Sequence, residues 1–313
     1  MAISTRIKSC LLTVILLSIA LHGMAQKADS LSTVEKDGQI NKARLTGLVT
    51  GGSLAYAGTM FGLYQMWYKD FPQTSFHFIN DNHEWLQLDK GGHAFNAYYM
   101  GLIGYESLRW AGVDKRKSAI YGGGMGFFYL TVIEILDGFS AEWGASGGDL
   151  IANTVGSATF ISQQLLWEEQ RIQIKWSVHY SRYAQFRPDQ LGHSFAERMI
   201  KDYNGQTFWL SANINSFLKK DSRFPRWLNV AAGYGGEGMT GGLSNPTENE
   251  DGVPLPSFDR YRKFYVAPDI NLSKIKTNSR TLNVCLKYLS IFKFPMPALE
   301  FSKKGVKVHA LYF

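Results

Sequence analysis

Cysteine is scarce in this chain, and the scarcity limits how the protein can be stabilised. The 313 residues contain two cysteines, Cys10 and Cys285. Cys10 lies in an N-terminal apolar run that has the pattern of a cleaved segment, so its removal would leave Cys285 alone. A lone cysteine cannot form an intramolecular disulfide. The pattern therefore excludes a disulfide scaffold and leaves packing, a metal, a partner or a membrane to stabilise the fold.

Excess acidic charge is also absent, as are the sequence motifs of nucleic-acid recognition. Lysine and arginine number 33 against 26 acidic residues, which gives a formal net charge of +7. This mild excess of basic residues suits contact with acidic lipid or glycan surfaces of the cell envelope. It gives no indication of a nucleic-acid partner. With 45% hydrophobic and 14% aromatic residues, the chain can bury a core and is not of the disordered class.

The N-terminus has the pattern of a secretory signal peptide. Its first 25 residues carry only positive charge, followed by an uncharged apolar run from Ser9 to Leu21 and by small residues before Ala25. The run is short for a bilayer span, which needs about 20 residues. We expect residues 1–25 to be cleaved. This predicts an exported protein, located in the periplasm or in the inner or outer membrane of a Gram-negative bacterium.

Composition divides the remaining chain into four regions. Residues 26–44 form a polar N-terminal segment, and residues 45–170 hold four apolar segments of helix length. Residues 171–205 read as a charged, aromatic connector, and residues 206–313 contain short alternating runs separated by turn residues. The sequence therefore predicts an α+β protein, with a bundle of about four apolar helices followed by a small antiparallel β-rich C-terminal region.

Two structural questions stay open at this stage. The apolar segment from Leu45 to Tyr68 has no charged residue and is long enough to cross a bilayer, but the three later segments contain ionisable groups. They fit either a soluble or surface-associated bundle or membrane helices with inward polar groups. Of these alternatives, we expect one in which the protein associates with a membrane. Residues 281–292 fit a helix or a strand, and about four or five strands are too few for a closed bacterial barrel, which needs about eight.

Three pairs of polar residues stand near the ends of the apolar segments. They are Asp89 with His93, Glu134 with Asp137, and Asp149 with Asn153. Residues three or four apart share one face of a helix. Short connections make consecutive helices antiparallel neighbours, so we expect the three pairs to converge at one end of the bundle.

A convergent cluster of this composition has two chemical uses. The candidate catalytic residues are His93, Glu134, Asp137 and Asp149, with Asp89, Lys90 and Asn153 in support. Of these, His93, Glu134 and Asp149 are the candidate ligands for a divalent metal, the one cofactor that the pattern indicates. The same carboxylates could instead perform general acid/base chemistry. Lys90 would balance the acids or bind a phosphate.

Each residue also has a structural interpretation. Asp89 fits a helix N-cap, and Asp149 fits a capping box in which it reaches back to the backbone of Ser146. His93 fits a core histidine and Asn153 an interhelical hydrogen bond. Glu134 follows an apolar run and has no capping role. An acid in that position should not be buried without a partner, and it therefore favours a site.

The motifs "DKGGHAF" and "EILDGFSAEWGASGGDLIANTVG", with the apolar helices between them, resemble the YfiM-like predicted periplasmic lipoproteins, a family of unknown function. The likeness covers about residues 85–170. The order of an Asp-Lys pair with a following His, an acid late in a helix, and a later Asp with Asn four residues on is more remotely similar to the VanZ-like membrane proteins. No cysteine stands at the expected cleavage site, which departs from the lipoprotein pattern. The resemblance implies a polar site without naming a reaction.

Two functional hypotheses follow. In the first, the inward-facing site acts on or binds an envelope lipid or glycan. In the second, the polar cluster is structural and the protein is a non-catalytic envelope scaffold that binds an envelope protein partner.

Overall fold

The computed structural model describes residues 38–69, 71–219, 221–249 and 252–313. The expected signal peptide and most of the polar segment lie outside the described residues. The chain divides into two compact units. The first contains the chain up to Asn80 together with residues 96–168, and the second contains residues 81–95 and 169–313.

Helices dominate the first unit, where the four predicted apolar segments are all helical. They are α1 (Lys42–Leu63, continued by a π turn at Tyr64–Tyr68), α2 (Leu88–Trp110, whose first eight residues belong to the second unit), α3 (Lys115–Gly138, with a π turn at Ser118–Gly122) and α4 (Gly147–Trp167). Two short parallel strands, β1 (Phe78–Ile79) and β2 (Ala145–Ser146), join the loops before α2 and α4.

Glycines bring α2 and α3 into close antiparallel contact. A Cβ atom on Gly101 of α2 would lie 2.8 Å from the carbonyl oxygen of Gly123 in α3, and Gly104 meets Gly122 in the same way. One turn further along α3, Gly126 lies against the backbone of Ala97. Side chains at these positions would force the helices apart, so the glycines explain both the contact and its register.

Among the described residues, α3 is the one helix that is long and apolar enough to cross a membrane by length and composition. Core helices of soluble proteins also satisfy this test. The sequence indicated the uncharged segment from Leu45 to Tyr68 as the clearest membrane-spanning helix. The helix α1, which contains most of this segment, is less apolar than a membrane-spanning helix of its length would be. Its glycines, serine and threonines reduce its apolar character while leaving it uncharged after Arg44.

The second unit contains a six-stranded antiparallel sheet, which confirms the predicted α+β class with a C-terminal β region. The strands follow chain order in the sheet: β3 (Ile172–Val178), β4 (Gln206–Asn213), β5 (Leu228–Glu237), β6 (Tyr261–Ile270), β7 (Met296–Ser302) and β8 (Gly305–Tyr312). Three helices accompany them: α5 (Pro188–Leu191), α6 (Phe195–Lys201) and α7 (Arg280–Leu289).

Two strands, β3 and β7, lie where the sequence pattern did not indicate a strand. The strand β3 lies in the stretch expected to be a connector, and its charged Lys175 is completely buried. Alternation between apolar and polar residues identifies a strand only when the polar side faces water, and here the polar side faces inward. The stretch that was ambiguous between helix and strand, residues 281–292, contains α7.

An unusual turn leads into α2. Trp85, Leu86 and Gln87 have φ values of 46°, 54° and 65°, a left-handed conformation that costs a non-glycine residue about 1–2 kcal/mol. Neighbours in the same unit hold the turn. The Trp85 N–H donates to the Gly242 carbonyl at 2.9 Å, and the Tyr234 hydroxyl donates to the Leu86 carbonyl. These bonds fix where α2 begins.

The first turn of α2 also packs on the sheet. Leu88, Phe208 and Met239 form a buried apolar cluster. The ring of Phe208 lies directly over Gly91, where a Cβ atom would come within 2.6 Å of a ring carbon. The start of α2 is therefore fixed by the close contact of Gly91 with Phe208 as well as by the turn before the helix.

Replacing Gly91 by Ala is expected to destabilise the second unit by about 1–3 kcal/mol, because the added methyl group must displace the buried Phe208 ring. Gly92→Ala is the matched control. Its Cβ would lie 3.7 Å from the same ring, and alanine is favoured over glycine within a helix by about 1 kcal/mol. Urea unfolding followed by tryptophan fluorescence measures both, and equal stability of the two variants would contradict the packing described.

Candidate functional site

A buried carboxylate of the first unit is held by the start of α4. Glu134 lies on α3 and is 3% exposed. Its Oε2 accepts the Ser146 backbone N–H at 2.9 Å, and the Ser146 hydroxyl accepts the Asp149 backbone N–H at 3.1 Å. Ser146 is the N-cap of α4. Its hydroxyl caps the helix, whereas its backbone N–H, which the expected capping box assigns to Asp149, donates to Glu134. Ser146 thus joins Glu134 to the backbone of Asp149.

Glu134 and Asp149 form a close carboxylate pair. Each offers an oxygen within 4.8 Å of the other, and Asp149 is 6% exposed. Asn153 follows one turn later on α4 and is completely buried. Two buried carboxylates at this separation repel each other unless a proton or a cation is shared between them. The pair is therefore chemically suited to a metal ion or to proton transfer.

Asp137, one turn after Glu134, is bound to a tyrosine. Its Oδ1 accepts the Tyr68 hydroxyl at 2.5 Å. Burial raises the pKa of Tyr68 well above its usual range, and the negative charge of Asp137 raises it further. Tyr68 therefore stays protonated and acts as a donor to Asp137.

A small cleft opens beside this hydrogen bond. It has a volume of about 150 Å³, and its lining includes Tyr68, Phe71, Leu136 and Ser140. The Ser140 side chain is buried, and its oxygen accepts the Glu142 backbone N–H at 3.3 Å. The cleft lies next to Asp137 in sequence and space, within the first unit.

A separate charged cluster lies in the second unit. The Lys90 ammonium contacts Asp81 at 2.5 Å and Asp89 at 2.9 Å, and all three side chains are largely buried. Burial, followed by the charges of Asp81 and Asp89, raises the pKa of nearby Glu84. Lys90 therefore neutralises two acids, Asp89 at the start of α2 and Asp81 in the loop before it.

The predicted site residues thus fall into two sets. Glu134, Asp137, Asp149 and Asn153 belong to the first unit, and Asp89, Lys90 and His93 belong to the second. His93 lies on α2, one turn after Asp89, and is partly buried.

Sequence reasoning missed two members of these clusters. Asp81 lies in an irregular polar loop, where an acid is ordinarily a solvated turn residue. Tyr68 ends an apolar segment and carried no polar partner nearby in sequence. A buried tyrosine needs a hydrogen-bond acceptor, and this rule is the signal that could have linked Tyr68 to an acid.

Comparison with known proteins adds one family. Residues 77–164 match the family described as "Predicted periplasmic lipoprotein (DUF2279)". No curated protein and no solved structure matches the chain. The matched segment contains Asp89, Lys90, His93 and the acids of α3 and α4. It supports the expected likeness to a periplasmic lipoprotein family of unknown function, and it confirms the expected localisation as an exported protein, periplasmic or membrane-associated.

Replacing Lys90 by Met is expected to cost about 3 kcal/mol of unfolding free energy, because two largely buried acids would lose the ammonium that joins them. Lys115→Met is the matched control. Lys115 pairs with Glu168 at 2.5 Å, but the two side chains are 48% and 61% exposed, and an exposed pair contributes at most about 1 kcal/mol. Chemical unfolding of both variants measures the two losses of unfolding free energy. Similar losses would contradict the burial of the Lys90 cluster.

Proposed function

We propose that the protein holds a divalent cation between Glu134 and Asp149, and that it uses this site to bind or act on an envelope lipid or glycan that carries phosphate. The observation that carries the proposal is the buried carboxylate pair of the first unit, whose oxygens lie within 4.8 Å of each other.

The geometry of the pair suits a metal ion. A zinc-like ion binds carboxylate oxygens at about 2.0–2.2 Å, so a single ion joins two oxygens that are up to about 4.4 Å apart, which is close to the 4.8 Å within which these two oxygens lie. Ser146 donates its N–H to the Glu134 carboxylate, and its hydroxyl holds the backbone of Asp149. A carboxylate oriented as Glu134 is loses little freedom when the ion binds.

Carboxylate oxygens of this kind are ligands for Zn²⁺ or Mn²⁺.

Other predicted residues take supporting roles in this proposal. A bound divalent ion would polarise a phosphoryl oxygen or lower the pKa of a bound water. Asp137, held by Tyr68, would exchange a proton with substrate or water. Asn153 would orient the Asp149 carboxylate, and Lys90 with Asp89 would hold the start of α2.

The finer resemblances support a membrane-associated role. The YfiM-like and VanZ-like patterns both combine Asp-Lys and His with later acids on apolar helices. We propose that this chain shares with them a polar site carried on membrane-associated helices, with a lipid or glycan of the envelope as its partner.

One observation favours a second candidate function. The bond from Ser146 to Glu134 ties α3 to the start of α4, and a buried polar contact of this kind can serve only to fix helix register. The protein would then be a non-catalytic scaffold whose C-terminal sheet binds an envelope protein.

Titrating the purified protein with Zn²⁺ or Mn²⁺ by calorimetry tests the cation site. We expect one ion per chain and a loss of at least about tenfold in affinity for Glu134→Gln and for Asp149→Asn. Glu142→Gln, which alters an exposed acid of the same unit, should bind like the parent protein. Absence of stoichiometric binding, or equal affinities across the set, would remove the metal site.

Glu134→Gln in cells separates the two functions, because glutamine keeps the shape and can still accept the Ser146 N–H. If the site binds or transforms a ligand, the variant should stay folded and fail to restore a deletion strain, scored by detergent sensitivity. If the protein is a scaffold, the variant should restore the deletion strain. Thermal unfolding of the purified variant confirms that it is folded.

A further inference from the structure

The sheet of the second unit has its polar and apolar faces reversed relative to a sheet that faces water. Along β6 the buried residues include Lys263 and Asp269, whereas the alternate positions Phe264, Val266 and Pro268 are exposed. A water-facing antiparallel sheet buries its apolar side and exposes its polar side. Here charged residues lie on the buried side, together with an apolar cluster that includes Trp209, Tyr265 and Tyr312, and the exposed side is apolar.

The buried polar face is closely hydrogen-bonded. Lys175 and Asp269 form an ion pair at 2.7 Å with both side chains fully buried, and the Ser211 hydroxyl donates to Asp269 at 2.6 Å. At the other end of the strands, Glu237 accepts the Tyr261 hydroxyl at 2.8 Å and pairs with Lys263 at 3.2 Å. Charges that satisfy one another in this way do not need water.

The start of α2 covers one part of the exposed face, at Phe208, and the rest of this face is a continuous apolar surface. Its eight large residues are between 40% and 73% exposed: Leu210, Val230, Phe264, Val266, Leu299, Phe301, Val306 and Val308. Strand pairing places them side by side, since Val266 is opposite Leu299 and Leu299 is opposite Val308. We name these eight residues the outer apolar face. A contiguous surface of this kind marks a binding surface for a protein or a membrane.

A bulge in β8 explains why the last strand did not show this pattern in sequence. Counted back in steps of two from Phe313, the alternation reaches His309, which is polar. In the structure the pairing of β7 with β8 shifts between Met296 and Ala298. His309 and Tyr312 consequently both turn inward, while Val306 and Val308 stay on the outer apolar face.

Charge at the ends of the strands indicates what covers this face. The strand ends near the β7–β8 turn expose Arg262 and Lys304, and the opposite ends expose Arg226 and Lys276. Asp259, the acid at the first end, is already paired with Lys303. An apolar face with basic ends is complementary to acyl chains bordered by anionic headgroups. A second copy of this chain would instead bring basic ends together.

We infer that the outer apolar face lies against the acyl chains of an envelope membrane, with the basic strand ends at the anionic headgroups. The arrangement has the same polarity as the lipid-facing sheets of membrane proteins, in which apolar side chains point outward and polar ones inward. This inference does not depend on the cation site of the first unit.

The test uses the full chain with both native cysteines replaced by serine and a bimane label at Val266→Cys or, as control, at Glu248→Cys in an exposed loop. The proteins are reconstituted with vesicles of phosphatidylethanolamine and phosphatidylglycerol. We expect doxyl-labelled lipid to quench the Val266 label and aqueous iodide to quench the Glu248 label. An iodide-accessible Val266 label that doxyl lipid leaves unquenched would overturn the inference. A second result would also overturn it: a Val266 label that doxyl lipid does not quench and that becomes less accessible to iodide as the protein concentration rises. This result would identify a second copy of the chain on the outer apolar face.

A charge substitution gives an independent measurement. Val266→Lys should weaken vesicle binding in flotation by about tenfold or more, because a lysine among acyl chains is strongly disfavoured, whereas Glu248→Lys should bind as well as the parent. Equal binding of the two variants would overturn the inference. Glu134→Gln, which tests the cation site, should leave the quenching of the Val266 label unchanged, so the two proposals fail separately.

Discussion

The close approach of α2 to α3 through glycine is the constraint on which the first unit depends. Any side chain at Gly101 would collide with the carbonyl of Gly123, so the two helices have one register. That register sets where Glu134 emerges from α3. A neighbouring face of α3 contacts α4, since a Cβ atom on Gly123 would meet Ile161. Glycine therefore determines the position of the buried acid although it contributes no polar atom.

The two units bury charge by different means. In the first, Glu134 and Asp149 are acids placed close together. In the second, lysines neutralise some of the buried acids, as Lys175 does Asp269 and Lys90 does Asp81 and Asp89. The short distance between the oxygens of Glu134 and Asp149 is the reason for assigning ligand chemistry to the acids of α3 and α4.

The sequence predicted the helices well because apolar runs of helix length are unambiguous, and it predicted the sheet less well. The strand β3 was hidden by Lys175, and β7 was not recognised, because inward charges reverse the expected alternation. Site residues on helices, such as Glu134 and Asp149, followed from spacing alone. Tyr68 and Asp81 did not, since Tyr68 lies at the end of α1, far in sequence from Asp137, and Asp81 lies in an irregular loop. Tertiary contacts of that kind leave no periodic signal.

The double attachment of Ser146 restricts what this position can become. Its amide binds Glu134 and its hydroxyl caps α4 through Asp149. Threonine keeps both groups, alanine keeps only the amide, and proline keeps neither. A lengthened or shortened loop between Gly138 and Ser146 would also separate the two acids without altering either of them. Natural variation in this segment should therefore be confined to side chains that preserve its length.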